Sequence, residues 1–150
     1  MTIWIDADAC PGAVKEIVIR AAERRKVPAV FVANKAISLP PSTFVTSARV
    51  GAGLDVADKY IAAHAVKGDL AVTQDVPLAA ELVKKGVVAL DVRGEPFTPE
   101  GIDAQLSMRN FLHELRESGV TTAGPAGFGP RDRQRFAATF DRELTRLARG

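Results

Sequence analysis

The fold can be read from a stretch near the amino terminus, Ile3-Trp4-Ile5-Asp6-Ala7-Asp8-Ala9-Cys10-Pro11. Its first three residues are apolar, which is typical of a strand buried on both faces of a parallel sheet. Pro11 is favoured in the first turn of a helix, and the apolar residues that follow at helical spacing predict a helix over residues 11–25. A buried strand followed by a helix is the repeating unit of an α/β fold.

The same alternation of apolar strands and helical patterns continues along the chain. We therefore expect one three-layer α/β/α domain over residues 1–150, with a mainly parallel sheet between its helices. Gly86 and Thr98 carry the residue types that end and begin helices, respectively. The predicted strands cover residues 3–5, 29–32, 43–46, 70–73 and 87–90, and the predicted helices cover 11–25, 56–66, 77–86, 98–118 and the segment from 130 onward.

Composition excludes several classes of protein. At 150 residues, with 47% hydrophobic and 25% charged residues, the chain fits a single globular domain. The amino terminus lacks the basic and apolar regions of a secretory signal, and no apolar run approaches the roughly 20 residues that cross a bilayer. Cys10 is the only cysteine, so an intramolecular disulfide is impossible. We expect a cytoplasmic protein without a membrane-spanning segment.

Basic residues are distributed unevenly. The net charge of +2 is too small to indicate a nucleic-acid partner by itself. The predicted last helix carries the surplus, and its Phe136 and Phe140 stand at the spacing of core residues, with Leu144 and Leu147. Its opposite face could follow a nucleic-acid backbone, and such binding would weaken with salt. The basic residues of this segment are Arg131, Arg133, Arg135, Arg142, Arg146 and Arg149, against the acids Asp132, Asp141 and Glu143.

Five aspartates are expected to gather where the parallel strands end, which is where α/β sheets bind ligands. Asp6 and Asp8 follow the first strand and, in extended chain, would point the same way. Asp75 follows the predicted strand over residues 70–73. Asp55 and Asp58 lie one helical turn apart after a glycine loop and would share a face.

Crowded carboxylates must take up a proton or share a cation. Ligands that offer only oxygen suit Mg²⁺ or Mn²⁺, so the pattern predicts a divalent-metal site. Two of the aspartates also have a purely structural interpretation, because Asp55 and Asp75 each stand where a helix N-cap is expected. For Asp75 the two roles are compatible. Asp6 and Asp8 lie beside an apolar strand and need a partner or solvent.

Three stretches of the chain resemble motifs of the bacterial YaiI/YqxD family. This resemblance implies a PIN-like fold, similar to that of metal-dependent ribonucleases, and leaves the activity open. It also implies that Asp6, Asp58 and Asp75 are the main acids, with Asp8 and Asp55 in support. The segment between Gly119 and Gly129 departs from the family pattern, which leaves the alignment near Phe128 open. The matching stretches are Ile5-Asp6-Ala7-Asp8-Ala9-Cys10-Pro11, Gly53-Leu54-Asp55-Val56-Ala57-Asp58-Lys59-Tyr60-Ile61 and Gly68-Asp69-Leu70-Ala71-Val72-Thr73-Gln74-Asp75-Val76-Pro77-Leu78-Ala79, with a tail at residues 124–136.

Other residues are weaker candidates for binding a substrate phosphate. Thr73 could bond Asp75 or a phosphate, although threonine is also common in strands. Asn34 and Lys35 follow the second strand and are equally compatible with an ordinary polar loop. Arg109 and Arg133 lie in predicted helices, where arginines usually face solvent.

Cys10 precedes a helix whose dipole could lower its pKa, but no base is near it in sequence. We expect it to be a small packed residue. The two histidines, His64 and His113, lack metal-ligand spacing and are given no role.

Three functions fit these observations. The first is a Mg²⁺- or Mn²⁺-dependent nuclease acting on RNA, in which Asp6, Asp58 and Asp75 hold the metal while Asp8 or Asp55 orients the attacking water. The second is a non-catalytic protein of the same fold that binds RNA or a nucleotide. The third is a phosphohydrolase of haloacid-dehalogenase type, which also begins with Asp-x-Asp after a strand, with the first aspartate as nucleophile.

Overall fold

The computed structural model describes residues 1–53, 55–121 and 127–150. A 3-10 turn, Ala7–Ala9, follows the first strand. The strands are β1 (Ile3–Asp6), β2 (Ala29–Ala33), β3 (Val45–Arg49), β4 (Leu70–Val72), β5 (Val88–Leu90) and β6 (Pro96–Phe97), and the helices are α1 (Gly12–Arg25), α2 (Val56–His64), α3 (Val76–Lys84), α4 (Ile102–Glu117) and α5 (Pro130–Ala148).

The strands form one six-stranded sheet in the order β3-β2-β1-β4-β5-β6. The first five strands are parallel, and β6 pairs antiparallel with β5. β1 lies between β2 and β4, so that Ile5 is level with Phe31 on one side and with Val72 on the other. The carboxyl ends of β1, β2 and β4 therefore meet at one edge of the sheet.

Helices α1 and α5 cover one face of the sheet. Alternate strand residues such as Ile3, Ile5 and Phe31 point into this layer because side chains of a strand alternate between its faces. They meet the apolar stripe of α1 and the stacked rings of Phe136 and Phe140, whose centroids are 5.2 Å apart. This is the largest core of the described residues.

Helices α2, α3 and α4 cover the opposite face. Trp4 and Ala71, which alternate with the residues of the first core, pack here against Ile61 of α2 and Leu82 of α3. Ile102 of α4 joins a smaller cluster with Ala79, Ala80, Ala89 and Phe97. Both faces are therefore buried, and the expected three-layer α/β/α arrangement with a mainly parallel sheet is confirmed.

Three details of the sequence interpretation are wrong. The third strand covers Val45–Arg49 instead of residues 43–46, and its outer residues are exposed because it is an edge strand. The antiparallel strand β6 was not expected. Helix α4 begins at Ile102, after a separate turn in which Thr98 Oγ1 accepts a hydrogen bond from Gly101 N at 3.0 Å. Thr98 therefore caps that turn and not α4 itself.

The remaining predicted elements agree with the structure to within a few residues. Gly86 lies two residues beyond the end of α3 and has φ 83°, the left-handed conformation that favours glycine after a helix. Part of the predicted loop over residues 119–129, together with the first residues of the tail motif, lies outside the described residues. Among the described helices, none is long and apolar enough to cross a membrane.

A buried aspartate holds the amino terminus against the loop after α2. Asp69 is 5% exposed. Its Oδ1 accepts a hydrogen bond from Thr2 N at 2.9 Å, and its Oδ2 accepts from Trp4 Nε1 at 3.1 Å and Val66 N at 3.0 Å. Three donors thus share the Asp69 carboxylate. Asp69 therefore has a structural role, to connect the amino terminus to the loop after α2, although it lies within one of the three motifs.

Replacing Asp69 with asparagine is expected to lower the free energy of unfolding by about 1–3 kcal/mol, because an amide nitrogen would face donors that need an acceptor. Urea unfolding followed by circular dichroism measures the change. Glu23→Gln, at an exposed position on α1, is the matched control and should change the free energy by less than about 0.5 kcal/mol. Equal effects of the two substitutions would contradict a structural role for Asp69.

Candidate metal centre

Three aspartates converge at the carboxyl edge of the sheet. Asp55 and Asp58 come from the start of α2, and Asp75 comes from the turn between β4 and α3. One carboxylate oxygen from each lies within 4.8 Å of the others, so the three together could hold one cation. We refer to these three residues as the aspartate triad. Asp6, at the end of β1, is a neighbour of the triad.

Thr73 connects β1 to the triad. Its hydroxyl donates to Asp6 Oδ2 at 3.1 Å and accepts from Asp75 N at 3.0 Å. Asp75 Oδ1 in turn accepts from Leu78 N at 2.9 Å, so Asp75 is the N-cap of α3 as expected. One oxygen of Asp75 is therefore occupied by capping, while the second can serve a ligand. Thr73 is 1% exposed and its hydroxyl both donates and accepts within the protein, so its role in this structure is to position the acids.

Asp8 reaches the site by a different route from the one expected. Because residues 7–9 form a 3-10 turn, the argument from extended chain is wrong. The Asp8 carboxylate is held by the backbone of Asn34, whose N–H lies 3.1 Å from Oδ2 and 3.3 Å from Oδ1. Gln74 Nε2 also donates to Ala9 O at 2.7 Å and joins the loops after β1 and β4. Asp6 and Asp8 still line one depression, as predicted.

Asp55 has an unusual backbone conformation. Its φ of 62° and ψ of 15° place it in the left-handed region, where aspartate is one of the more tolerant residues. It occupies the N-cap position of α2, but its side chain makes no capping hydrogen bond. The structural interpretation of Asp55 as a side-chain cap is therefore wrong. Its carboxylate turns toward Asp58 and Asp75 instead.

Two depressions meet at the triad, and both include Asp55 and Asp58. The smaller, of about 210 Å³, is lined by residues of β1, the turn after it and the start of α2, with Asn34. The larger, of about 470 Å³, lies between α2 and α3. Its polar lining consists of the triad with Glu81, Lys59 and Arg109, and its apolar lining consists of Ala62, Ala63, Pro77 and Leu78.

Negative charge is concentrated at this edge. Burial, a hydrogen bond with Asp75 and the nearby carboxylates of Asp75, Asp6 and Asp55 together raise the pKa of Asp58 to about 8, and burial contributes most. Burial likewise raises the pKa of Asp6, with added repulsion from Asp8 and Asp75, against the opposing hydrogen bond from Thr73. At neutral pH the site without a cation therefore retains a proton on Asp58.

Only some of the residues predicted to contact a substrate phosphate lie beside the aspartates. Arg109 lines the larger depression and Asn34 lines the smaller one. Lys35 is exposed and lines neither. Arg133 lies on α5, across the sheet, and its Nη2 is 4.0 Å from Glu16 Oε2 of α1. Lys59 was missed, although it directly follows Asp58 in the second motif.

Cys10 is a packed residue, as expected. It lies against the core between the sheet and α1. Burial raises the pKa of its thiol to about 12, which outweighs any lowering by the helix dipole. A thiol with so high a pKa is protonated at neutral pH and is a poor nucleophile.

Comparison with known proteins shows that the three motif stretches lie within one family match. The family described as "Uncharacterized BCR, YaiI/YqxD family" (DUF188) matches residues 4–146. The chain belongs to this family. It is 64% identical over 149 residues to a UPF0178 protein of Myxococcus xanthus (strain DK1622), covering 99% of this chain and 97% of the relative. It is 53% identical over 146 residues to a UPF0178 protein of Syntrophobacter fumaroxidans (strain DSM 10017 / MPOB), covering 97% and 95%. No solved structure matches the chain.

The crowding at Asp58 predicts how the stability of this YaiI/YqxD protein depends on pH. The folded pKa of about 8 lies above the ordinary value of 3.8. The folded protein thus holds a proton on Asp58 more tightly than the unfolded chain does. The resulting contribution to the free energy of unfolding is fully present below about pH 4 and is lost as the pH rises toward 8. Asp58→Asn cannot ionise, so its free energy of unfolding should exceed that of the wild type by a margin that grows between about pH 5 and pH 8.

Urea unfolding in EDTA at several pH values measures this margin. Asp103→Asn, on the exposed side of α4, is the matched control and should follow the wild-type pH dependence. A constant difference between wild type and Asp58→Asn would show that Asp58 is not crowded in the folded protein.

Proposed function

We propose that this protein is a Mg²⁺- or Mn²⁺-dependent nuclease that hydrolyses phosphodiester bonds, with RNA as its substrate. The proposal rests above all on the aspartate triad, in which three carboxylate oxygens within 4.8 Å of one another stand at the carboxyl edge of a parallel sheet. The implied likeness to PIN-like metal-dependent ribonucleases supports the same choice.

The residues of the triad fit a divalent cation. Their donors are all carboxylate oxygens, which suit Mg²⁺ and Mn²⁺ better than the softer metals that select nitrogen or sulfur. The raised pKa of Asp58 indicates negative charge that the protein alone does not neutralise. A cation would displace the proton from Asp58 and relieve this repulsion. When bound, it would supply positive charge to offset the charge that develops on a phosphodiester during hydrolysis.

The geometry favours an exchange of the roles that the sequence assigned to Asp6, as a metal ligand, and to Asp55, as a candidate for orienting water. Asp55 would hold the metal together with Asp58 and Asp75, because these three form the closest group. Asp6 would orient the attacking water and accept its proton, since its raised pKa brings it closer to the operating pH of a general base. Asp8, held by Asn34 N, would support Asp6 from the smaller depression.

The larger depression offers contacts for the remainder of a nucleotide. Lys59 and Arg109 bring positive charge beside an otherwise acidic site and would bind the phosphates on either side of the scissile one. Pro77 and Leu78 form an apolar surface against which a base or ribose would pack. Arg109 Nη1 donates to Asn110 Oδ1 at 3.1 Å, which leaves its other nitrogens for a phosphate.

Metal binding is the first prediction of this proposal. Calorimetric titration of Mn²⁺ into metal-free protein should show binding that strengthens as the pH rises toward 8, because the cation must displace the proton on Asp58. Asp58→Asn/Asp75→Asn should weaken binding by at least about tenfold, and Asp103→Asn should leave it unchanged. Absence of Mn²⁺ binding by the wild type would remove the metal site and the nuclease with it.

Cleavage is the second prediction. Wild-type protein with Mn²⁺ should cleave a fluorescent single-stranded RNA, and Asp58→Asn/Asp75→Asn should reduce the rate by at least about a hundredfold because charge stabilisation is lost. Lys59→Gln/Arg109→Gln should raise KM more than it lowers kcat, without affecting Mn²⁺ affinity. Bound Mn²⁺ without cleavage of RNA would favour the non-catalytic binding protein instead.

A further inference from the structure

Helix α5 has two contrasting faces. Its buried face, with Phe136, Phe140 and Leu144, packs on the sheet and α1. The opposite face carries five arginines, each of them exposed. We call this set the arginine stripe, and its members are Arg131, Arg135, Arg142, Arg146 and Arg149.

Helical spacing places these arginines in one line. Successive members are 4, 7, 4 and 3 residues apart, and each of these steps returns close to the same side of a helix. From Arg131 to Arg149 the line is about 27 Å long, at about 1.5 Å per residue. The three acids of α5 fall outside this line by the same geometry. Positive charge is therefore continuous along almost the whole helix.

Few partners neutralise the stripe. Arg135 Nη2 pairs with Glu95 Oε2 at 2.5 Å, and Arg146 Nη2 pairs with Glu143 Oε2 at 2.6 Å. The side chains of Arg131, Arg142 and Arg149 form no ion pair or hydrogen bond with any residue in the described part of the chain. Both side chains of the Arg135–Glu95 pair are exposed, so this pair adds little stability and can exchange for a ligand anion. Glu143 is only 14% exposed, so the pair of Arg146 with Glu143 is less free to exchange.

The stripe begins at the same edge of the sheet as the aspartate triad. Residues 91–95 follow the carboxyl end of β5, and Arg93 Nε contacts Asp132 Oδ1 at 3.4 Å in the first turn of α5. From this edge α5 runs along α1 toward the opposite edge, since Arg133 lies near Glu16 and Arg25 lies near Asp141. The stripe and the triad stand on opposite faces of the sheet and are separate surfaces.

We propose that the arginine stripe binds the phosphate backbone of an RNA strand. A line of five cations about 27 Å long fits an extended polyanion better than a single phosphate, which needs convergent donors. A membrane surface is the weaker match, because the apolar side of α5 is buried in the core and cannot insert among lipids. The proposal deepens the proposed function by naming a second contact with the substrate, and it rests on that function only for the choice of RNA.

Binding of a fluorescent 20-nucleotide single-stranded RNA, measured by anisotropy in EDTA at several KCl concentrations, tests the stripe without any cleavage. The stripe variant is Arg131→Gln/Arg142→Gln/Arg149→Gln. Its matched control, Lys26→Gln/Lys84→Gln/Arg116→Gln, removes the same charge from exposed positions elsewhere. The stripe variant should bind at least about tenfold more weakly than the control, and the slope of log K against log[KCl] should fall by about 2, at about 0.7 per lost phosphate contact.

A charge-preserving variant, Arg131→Lys/Arg142→Lys/Arg149→Lys, should keep RNA binding within about threefold of wild type, because backbone tracking depends mainly on charge. Equal weakening in the stripe variant and its control would overturn the proposal, since net charge alone would then explain binding. Binding to phosphatidylserine vesicles that exceeds binding to RNA would assign the stripe to membranes and would overturn it too. RNA binding that depends on the stripe, in a protein that never cleaves RNA, would support this proposal and remove the proposed nuclease.

Discussion

The pairing of β1 with both β2 and β4 is the constraint on which the rest of the structure depends. It buries β1 on both faces, so Ile3 and Ile5 enter one core while Trp4 enters the other. It also sets the levels at which the neighbouring strands end, and this brings the hydroxyl of Thr73 within 3.1 Å of Asp6. The same hydroxyl accepts a hydrogen bond from the N–H of Asp75. The spacing of the acids is thereby tied to the register of the sheet.

Patterns of apolar residues and prolines were sufficient to predict most of the fold. β1 and β4 are apolar because both of their faces are covered, and Pro11, Pro77 and Pro130 mark helix starts. β3 and β6 gave weak signals for physical reasons. β3 is an edge strand with polar exposed residues, and β6 has only two residues, whose pairing with β5 depends on contacts distant in sequence.

The sequence was sufficient to predict which residues form the candidate site, but not how they are arranged. All five aspartates stand at the expected edge, because strand ends and helix starts meet there. Sequence could not show that Asp55 adopts a left-handed conformation and joins Asp58 and Asp75 more closely than Asp6 does. Nor could it show that Arg133 is separated from the acids by the sheet, because that depends on which face α5 covers.

Crowding at Asp58 has a consequence for laboratory evolution of this protein. Carboxylates held together against their repulsion lower the heat resistance of the metal-free chain, and neutral residues in their place would raise it. A library selected only for survival at high temperature would therefore lose Asp58 early, while the sheet and both cores stayed intact. Selection in the presence of a divalent cation would reverse this preference. A cation that binds the folded protein through these carboxylates would stabilise it, so variants that keep the acids would survive at higher temperature.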